Sequence, residues 1–352
     1  MKEVVVFVKN LTSGGAEKQS VLLAKILAND CKVHYVIFNG KKIHDKYLDL
    51  LKEDPRVKIK VFYGNYVLRF FAMVQYLKEN HIDVIFSYLT MANLLAVTIG
   101  KIAKTRKIYT GLRNARLPYL KQLVDRIVCN YVATAAVCNC YSGKKHFISK
   151  GFKEDKILVI PNCFDNILPY SPKKQSSVIK IITVGRFVKQ KDYETAIACI
   201  AGLKDMCPTI RFKFIIVGYG ELENQVRQWV NAYKVGSFTE ILINPNNIPQ
   251  LEYDADIYLS TSLFEGTSNS IMEGMNANLP VVCTDVGDNY CLVKEEINGF
   301  LCKTGDVHTL SLRLKKLLEA NDLRENMGKK SKEILADNFG VDIFLKRYLD
   351  LI

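Results

Sequence analysis

Short β-branched runs alternate with helix-length stretches along almost the whole chain, and the alternation stops once and starts again. In the first half "VVVFV" (4–8), "KVHYVIF", "VKIKVF", "DVIFSYL", "KIYTGL", "AAVCN" and "ILVIP" read as strands. The segments between them, among them Glu17 to Ala28, "NYVLRFFAMVQYLKEN" and "MANLLAVTIGKIA", read as helices. Strands joined by helical crossovers pair in parallel, and a parallel sheet needs helices on both faces. The stretch "NCFDNILPYSPKKQSSVIK" (162–180) has prolines, serines and lysines but no period, which marks a linker. The rhythm resumes with "IKIITVGRF", "FKFIIVG", "TEILI", "ADIYLS" and "PVVCTD", and from Asp306 onward the chain reads as helical. The expected fold is α/β: two Rossmann-like, doubly wound parallel-sheet domains facing a central cleft. The boundaries are 1–165, a linker over 166–180, 181–338, and a helix over 339–352 that packs back on the first domain.

With 352 residues and 49% apolar composition, the chain can fill two cores. No apolar run approaches the roughly 18 residues of a membrane span, and "MKEVVVFVKNLTSGGAE" reads as a first buried strand, not a signal peptide. None of the ten cysteines forms a CxxC pair and no HxxxH occurs, so no metal site is expected. Cys138 and Cys140 are expected on opposite faces of a strand, and most cysteines as buried thiols of a reducing compartment. The net charge of +13 is uneven: residues 1–170 hold 27 Lys and Arg against 13 Asp and Glu, while the remainder is nearly neutral. An anionic partner of the first half would account for this, whether phospholipid surface, lipid diphosphate or nucleic acid. A basic surface that only keeps the protein soluble accounts for it equally.

The stretch "FEGTSNSIMEG" (264–274) sets Glu265 before a helix expected to begin near Ser268 or Asn269, and Glu273 about one turn inside it. The first amides of a helix lack intrahelical acceptors and sit at its positive end, so backbone from Gly266 through Thr267, Ser268 and Asn269 to Ser270 can cradle a phosphate. Carboxylates accept from adjacent hydroxyls, which suits both glutamates to sugar diols; an exposed Glu265 and an ordinary helical Glu273 fit the same letters. Arg186 and Lys191 follow a strand end, where a guanidinium fork and a point charge could neutralise a diphosphate. Gly14 and Gly15 follow the first strand and permit close backbone approach and positive φ. Their "GGAE" setting is not the nicotinamide fingerprint.

Glu265, seven residues, Glu273 and then "LPVVCTDVGDN" resemble the signature of retaining glycosyltransferases of family 4, which have the GT-B fold. "TVGRFVKQKDYETAI" (183–197), "NLTSGGAEKQ" (10–19), "FIIVGYGELEN" (214–224) and "INGFLCKTGD" (297–306) match the family's other segments in kind and order. The resemblance implies Glu265, Arg186 and Lys191 as catalytic. It implies donor contacts from Gly14, Gly15, Gly218, Gly266, Thr267, Ser268, Asn269 and Glu273, with Glu273 on the ribose and Glu265 on the sugar. It also implies front-face attack without a protein nucleophile and independence of metal. Asp254-Ala255-Asp256 forms a D-x-D string, but Asp256 matches an acidic position of the family that looks structural. No cofactor is expected; the substrate is a nucleotide-diphosphate sugar, with UDP favoured.

The chain departs from the family where many members carry a histidine in the first domain. Here the loop reads "YTGLRNARLPY" (109–119), with Arg113 and Asn114 at that place. Arg113 either binds an acceptor phosphate or sugar hydroxyl, or is one more surface arginine. "KIAKTRK" (101–107), Arg113, Arg116, Lys121 and Arg126 make a basic region, and residues 62–80 fit either a membrane-resting helix or a core helix with one polar face. The expected activity is transfer of a hexose or N-acetylhexosamine to a lipid-linked or polysaccharide glycan, in the cytoplasm or on the inner face of the membrane. A sugar-nucleotide epimerase of the same fold and a basic nucleic-acid-binding module are the alternatives.

Overall fold

Residues 1–113, 118–172 and 177–352 are described by the structure, a computed structural model in which the chain divides into two units. One is Met1–Asp165 with Val341–Ile352, the other Asn166–Gly340. In the first unit Glu3–Val8 (β1), Lys32–Ile37 (β2), Val57–Val61 (β3), Val84–Tyr88 (β4), Lys107–Leu112 (β5), Ala135–Cys138 (β6) and Ile157–Val159 (β7) form a sheet ordered β3-β2-β1-β4-β5-β6-β7. All its pairings are parallel. The intervening helices are Gly15–Leu27 (α1), Asp45–Lys52 (α2), Tyr66–Glu79 (α3), Thr90–Ile102 (α4), Tyr119–Ile127 (α5) and Tyr141–Ser149 (α6). Val4, Val6 and Val8 pack with α1 on one face, while Val5 and Phe7 pack with α3 and α4 on the other. A strand buried on both faces has no use for polar alternation, which is why β1 reads as an unbroken apolar run.

The second unit repeats the plan. Ile179–Val184 (β8), Phe212–Gly218 (β9), Thr239–Ile243 (β10), Ile257–Ser260 (β11), Val281–Thr284 (β12) and Gly299–Cys302 (β13) are ordered β10-β9-β8-β11-β12-β13, again in parallel. Its helices are Tyr193–Met206 (α7), Glu223–Ala232 (α8), Ile248–Tyr253 (α9), Asn269–Asn276 (α10), Asn289–Leu292 (α11), Val307–Glu319 (α12) and Asn321–Phe339 (α13). The strand order reverses between β1 and β4 in the first sheet and between β8 and β11 in the second. Crossovers leave such a point in opposite directions, which opens a crevice at the carboxyl ends of the two strands.

The last helix, Val341–Leu349 (α14), belongs to the first unit. Phe344 and Tyr348 are buried in the core that holds α1. The chain end is fixed by Lys107 Nζ, which donates to the carbonyls of Leu351 and Ile352 at 3.0 and 3.1 Å, and by the Tyr109 hydroxyl, which donates to Leu351 O at 2.9 Å.

One sequence expectation fails on geometry, and one freedom the sequence offers goes unused. Gly14 (φ −78°) and Gly15, the first residue of α1, do not use the positive φ that glycine permits. A side chain at Gly14 would meet the Glu17 carboxylate, whereas one at Gly15 would meet open space. Cys138 and Cys140 do not diverge: a Cβ on Gly143 would stand 2.9 and 2.7 Å from their respective sulfurs. Two residues along an extended chain return to the same side, so the sulfurs share one face where β6 ends.

Phe344→Ala removes a fully buried ring and should cost the first unit about 3–5 kcal/mol. Urea unfolding followed by far-UV circular dichroism should show an earlier transition, with Trp229, the chain's only tryptophan, reporting the second unit separately.

Candidate active site

At the reversal point of the second unit, β8 ends and Gly185-Arg186-Phe187 turn away from it. Gly185 N continues the ladder onto Val217 O at 3.0 Å. A Cβ on Gly218 would lie 1.9 Å from Gly185 O, and one on Gly220, whose φ is +152°, would lie 2.6 Å from Phe187 O. Backbone packing therefore requires glycine at both places, which accounts for Gly218 independently of any ligand. The Lys191 stem lies against Gly185, and its ammonium meets Glu265 Oε1 at 2.7 Å with both side chains largely sheltered, 19% and 10% exposed. Arg186, by contrast, is exposed, and its guanidinium makes no hydrogen bond or ion pair among the described residues.

Glu265 is held from several sides. Gln190 Nε2 donates to Phe264 O at 2.8 Å and to Glu265 Oε2 at 3.4 Å, while Gln190 O accepts from Leu263 N at 2.8 Å. Thr261 Oγ1 donates to the carbonyls of Lys191 and Asp192, pinning the turn that carries the lysine. Gly287 has φ +58°, and a Cβ there would come within 2.1 Å of Glu265 O; beside it Asp288 N donates to Gly266 O at 3.2 Å. Sequence reasoning passed over Gln190 and treated Gly287 only as part of a matching string. Its place between Val286 and Asp288, after a buried strand, was the available signal for a left-handed turn.

Helix α10 begins beyond this loop. Ser268 is its N-cap residue, but its hydroxyl pairs with Ser270 Oγ at 3.2 Å and does not cap the helix. The first turn carries no acid, so the positive end of the helix is not neutralised from within. Thr267 and Ser268 are buried, Gly266 half-buried and Asn269 exposed. Gly274 lets the helix lie directly on the Tyr258 ring. The Tyr258 hydroxyl donates to Val184 O at 3.3 Å, at the end of β8, and burial, then the carboxylates of Glu252 and Glu273, hold that phenol far above its ordinary range. Glu273 thus lies within electrostatic reach of the strand end from which Arg186 departs. At the other end of α10 Lys332 donates to the carbonyl of Asn276 and, at 2.9 Å, to its side-chain oxygen. The D-x-D string is structural here, for Asp256 accepts from Lys180 N at 2.8 Å and its own N–H donates back to Lys180 O.

In the first unit a cavity of about 300 Å³ opens at the corresponding reversal point, lined by Val8, Lys9, Tyr88, Leu89, Arg113 and Asp125 among others. Arg113 is no simple surface arginine. Its guanidinium lies 4.7 Å from the Tyr88 ring centroid, donates to the Tyr348 hydroxyl at 3.1 Å and reaches Asn162 Oδ1 at 3.4 Å, while its buried Nε has no partner. Asp125 ties α5 to α4 by accepting from Thr90 Oγ1 at 2.5 Å and from Asn93 Nδ2 at 3.1 Å, and burial raises its pKa. Asn114 and Arg116 lie outside the described residues. Gly14 and Gly15 open α1 in this unit, where Thr12 Oγ1 donates to the buried Glu17 at 2.5 Å.

Residues 168–334 match the family described as Glycosyl transferases group 1. Over its full length the chain is 24% identical to 98% of a Campylobacter jejuni alpha-1,4-N-acetyl-D-galactosaminyltransferase named for a diNAcBac-PP-undecaprenol-linked glycan. Over 40% of its length it is 28% identical to 37% of an Escherichia coli UDP-Gal:alpha-D-GlcNAc-diphosphoundecaprenol alpha-1,3-galactosyltransferase. The crystal structure of Anabaena HepE in complex with UDP superposes with a TM-score of 0.84 at 21% identity, covering 99% of either chain, and shares the GT-B fold. These likenesses lend no support to an epimerase.

Lys191→Met would strand the Glu265 carboxylate without its cation and should destabilise the second unit by about 3 kcal/mol; adding Glu265→Gln should recover part of that loss in a double-mutant cycle. Burial pushes the Lys332 ammonium down to about 8. Above that pH the unfolded chain keeps a proton the folded chain has released, so this group's contribution should make stability rise from about pH 8 to about 10.5. Urea midpoints across that window should show the rise in wild type and lose this component in Lys332→Met.

Proposed function

We propose that this chain, a glycosyltransferase that carries a Glycosyl transferases group 1 domain over residues 168–334, retains anomeric configuration and works without a metal ion. The observation that carries the reading is the sheltered Lys191–Glu265 pair at the strand-order reversal, in the unit whose helix α10 begins without an acid in its first turn. A nucleotide-diphosphate sugar arriving there offers phosphate oxygens to Lys191, Arg186 and the amides from Gly266 to Asn269. Lys191 then exchanges a carboxylate partner for a phosphate one, and Glu265 is released to accept from the donor sugar's hydroxyls. Glu273 takes the ribose hydroxyls. As the bond from the anomeric carbon to the phosphate oxygen breaks, charge builds on the diphosphate, where fixed donors act most strongly. The acceptor hydroxyl adds from the same face, and the departing phosphate takes its proton, so no protein nucleophile is required.

UDP is the favoured nucleotide, since the HepE structure contains it and the Escherichia coli relative is named for UDP-Gal. The transferred group would be a hexose or N-acetylhexosamine. The acceptor is read as a lipid-linked glycan, the class for which both relatives are named, with Arg113 meeting its phosphate or a sugar hydroxyl in the first unit. Such an acceptor would hold the enzyme at the inner membrane surface.

UDP at about 100 times its Kd should add roughly 2.7 kcal/mol of stability to the wild type, seen as a higher Tm, and much less to Glu273→Ala. Arg186→Ala should keep the fold, since the side chain is exposed, yet lower kcat by about 10²–10³. Equal Tm shifts in wild type and Glu273→Ala would remove the ribose assignment. An inverted product anomer by proton NMR, or activity abolished by EDTA, would overturn the mechanism.

A further inference from the structure

Three neighbouring helices of the first unit begin with exposed apolar side chains where helices ordinarily place acids. In α3 Val67, Leu68 and Phe71 are all more than 60% exposed; Leu89 and Met91 are exposed at the start of α4; Tyr119 and Leu120, both above 70%, open α5. None of the three helices has an Asp or Glu in its first turn. Each follows a strand of a parallel sheet, so each starts at the carboxyl edge, and α3 packs on α4 and α4 on α5. Helix α3 begins over the end of β2, where the Tyr66 and Phe38 ring centroids lie 5.3 Å apart. From β2 to β5 is three strand spacings, about 14 Å. Exposed cations outnumber acids on the same edge: Lys41, Lys42 and Lys46 beside Asp45 after β2, and Lys121 in α5.

Single exposed apolar residues are ordinary, but a group of them gathered on one edge beside an excess of cations is an interaction surface. The backbone supports this. Leu89 has φ 73° and ψ 151°, a region that belongs to glycine and costs a leucine about 1–3 kcal/mol, and there its side chain is 41% exposed at the lip of the cavity that holds Arg113. The partner must welcome aliphatic, aromatic and cationic groups together. A second copy of this chain would set one basic surface against another, and a nucleic-acid backbone has no use for exposed Leu, Val and Phe. An anionic bilayer suits all three: aliphatic groups at the acyl boundary, Tyr at the headgroups and Lys on anionic lipid.

We propose that the starts of α3, α4 and α5 form a membrane-docking surface that lies in the interface of a bilayer containing anionic lipid. It brings the mouth of the Arg113 cavity to the headgroup plane, where the diphosphate of a lipid-linked acceptor stands. That purpose rests on the acceptor reading above; the docking itself does not.

The test is flotation of the full-length protein, without substrates, on phosphatidylcholine vesicles with or without one-third phosphatidylglycerol. Wild type should float with the anionic vesicles, less with the neutral ones, and less as salt rises. Leu68→Ser combined with Phe71→Ser should weaken partitioning at least about tenfold, because each loses burial of an apolar side chain. Leu312→Ser, an exposed leucine of the second unit, should leave it unchanged. Failure of wild type to float, equal flotation of the double variant, or a dimer in sedimentation equilibrium that the double variant dissolves while still floating would each overturn the proposal. Transfer to a water-soluble acceptor should survive in the double variant, so lost flotation with intact transfer leaves the transferase reading standing.

Discussion

Parallel strand pairing constrains everything else in this protein. Each connection must cross a face of its sheet, so the crossover helices cover both faces and bury the central strands. Polar chemistry then has one place to go, the carboxyl ends of the strands, and most room where the strand order reverses. Both units obey this. In the second, the reversal between β8 and β11 gathers Gly185, Arg186, Lys191 and the Glu265 loop; in the first, that between β1 and β4 opens the cavity beside Arg113.

The electrostatics follow from that placement. Lys191 and Glu265 hold each other at 2.7 Å in a sheltered setting, where either charge alone would be costly. In the mechanism proposed above, this pair would keep the site neutral until a polyanionic ligand exchanges the partners. Helix α10 adds a positive end without an acid to cancel it, and Lys332 secures the opposite end by donating to Asn276. The Glu265 loop is held from two other stretches, Gln190 and the turn at Gly287, while Thr261 pins the turn that carries Lys191.

Much of the fold was legible because its signal is local. Buried parallel strands are apolar runs, and the break at 162–180 has the composition of a linker. What escaped the sequence depended on neighbours far along the chain. "GGAE" read as a loop that permits positive φ, yet α1 simply starts at Gly15, where an added side chain would meet open space. Arg113 read equally well as a surface residue, because its partner Tyr348 lies 235 residues away on the returning helix. Gln190 sat unnoticed between two lysines, since nothing local marks a side chain that reaches the carbonyl of Phe264.

The sequence by itself determined two parallel α/β units and placed Arg186, Lys191 and Glu265 after strand ends and Glu273 in the helix that follows, since the spacing of apolar runs dictates where each strand must stop. Only the tertiary structure decided that Lys191 faces Glu265, that Arg186 stands clear in solvent, and that Gly218 and Gly287 are glycines because carbonyls of Gly185 and Glu265 press on them. Periodicity is a property of one segment and survives in a string of letters. A charge pair or a close backbone approach is a property of two segments, and comes into being only when the sheet brings their ends together.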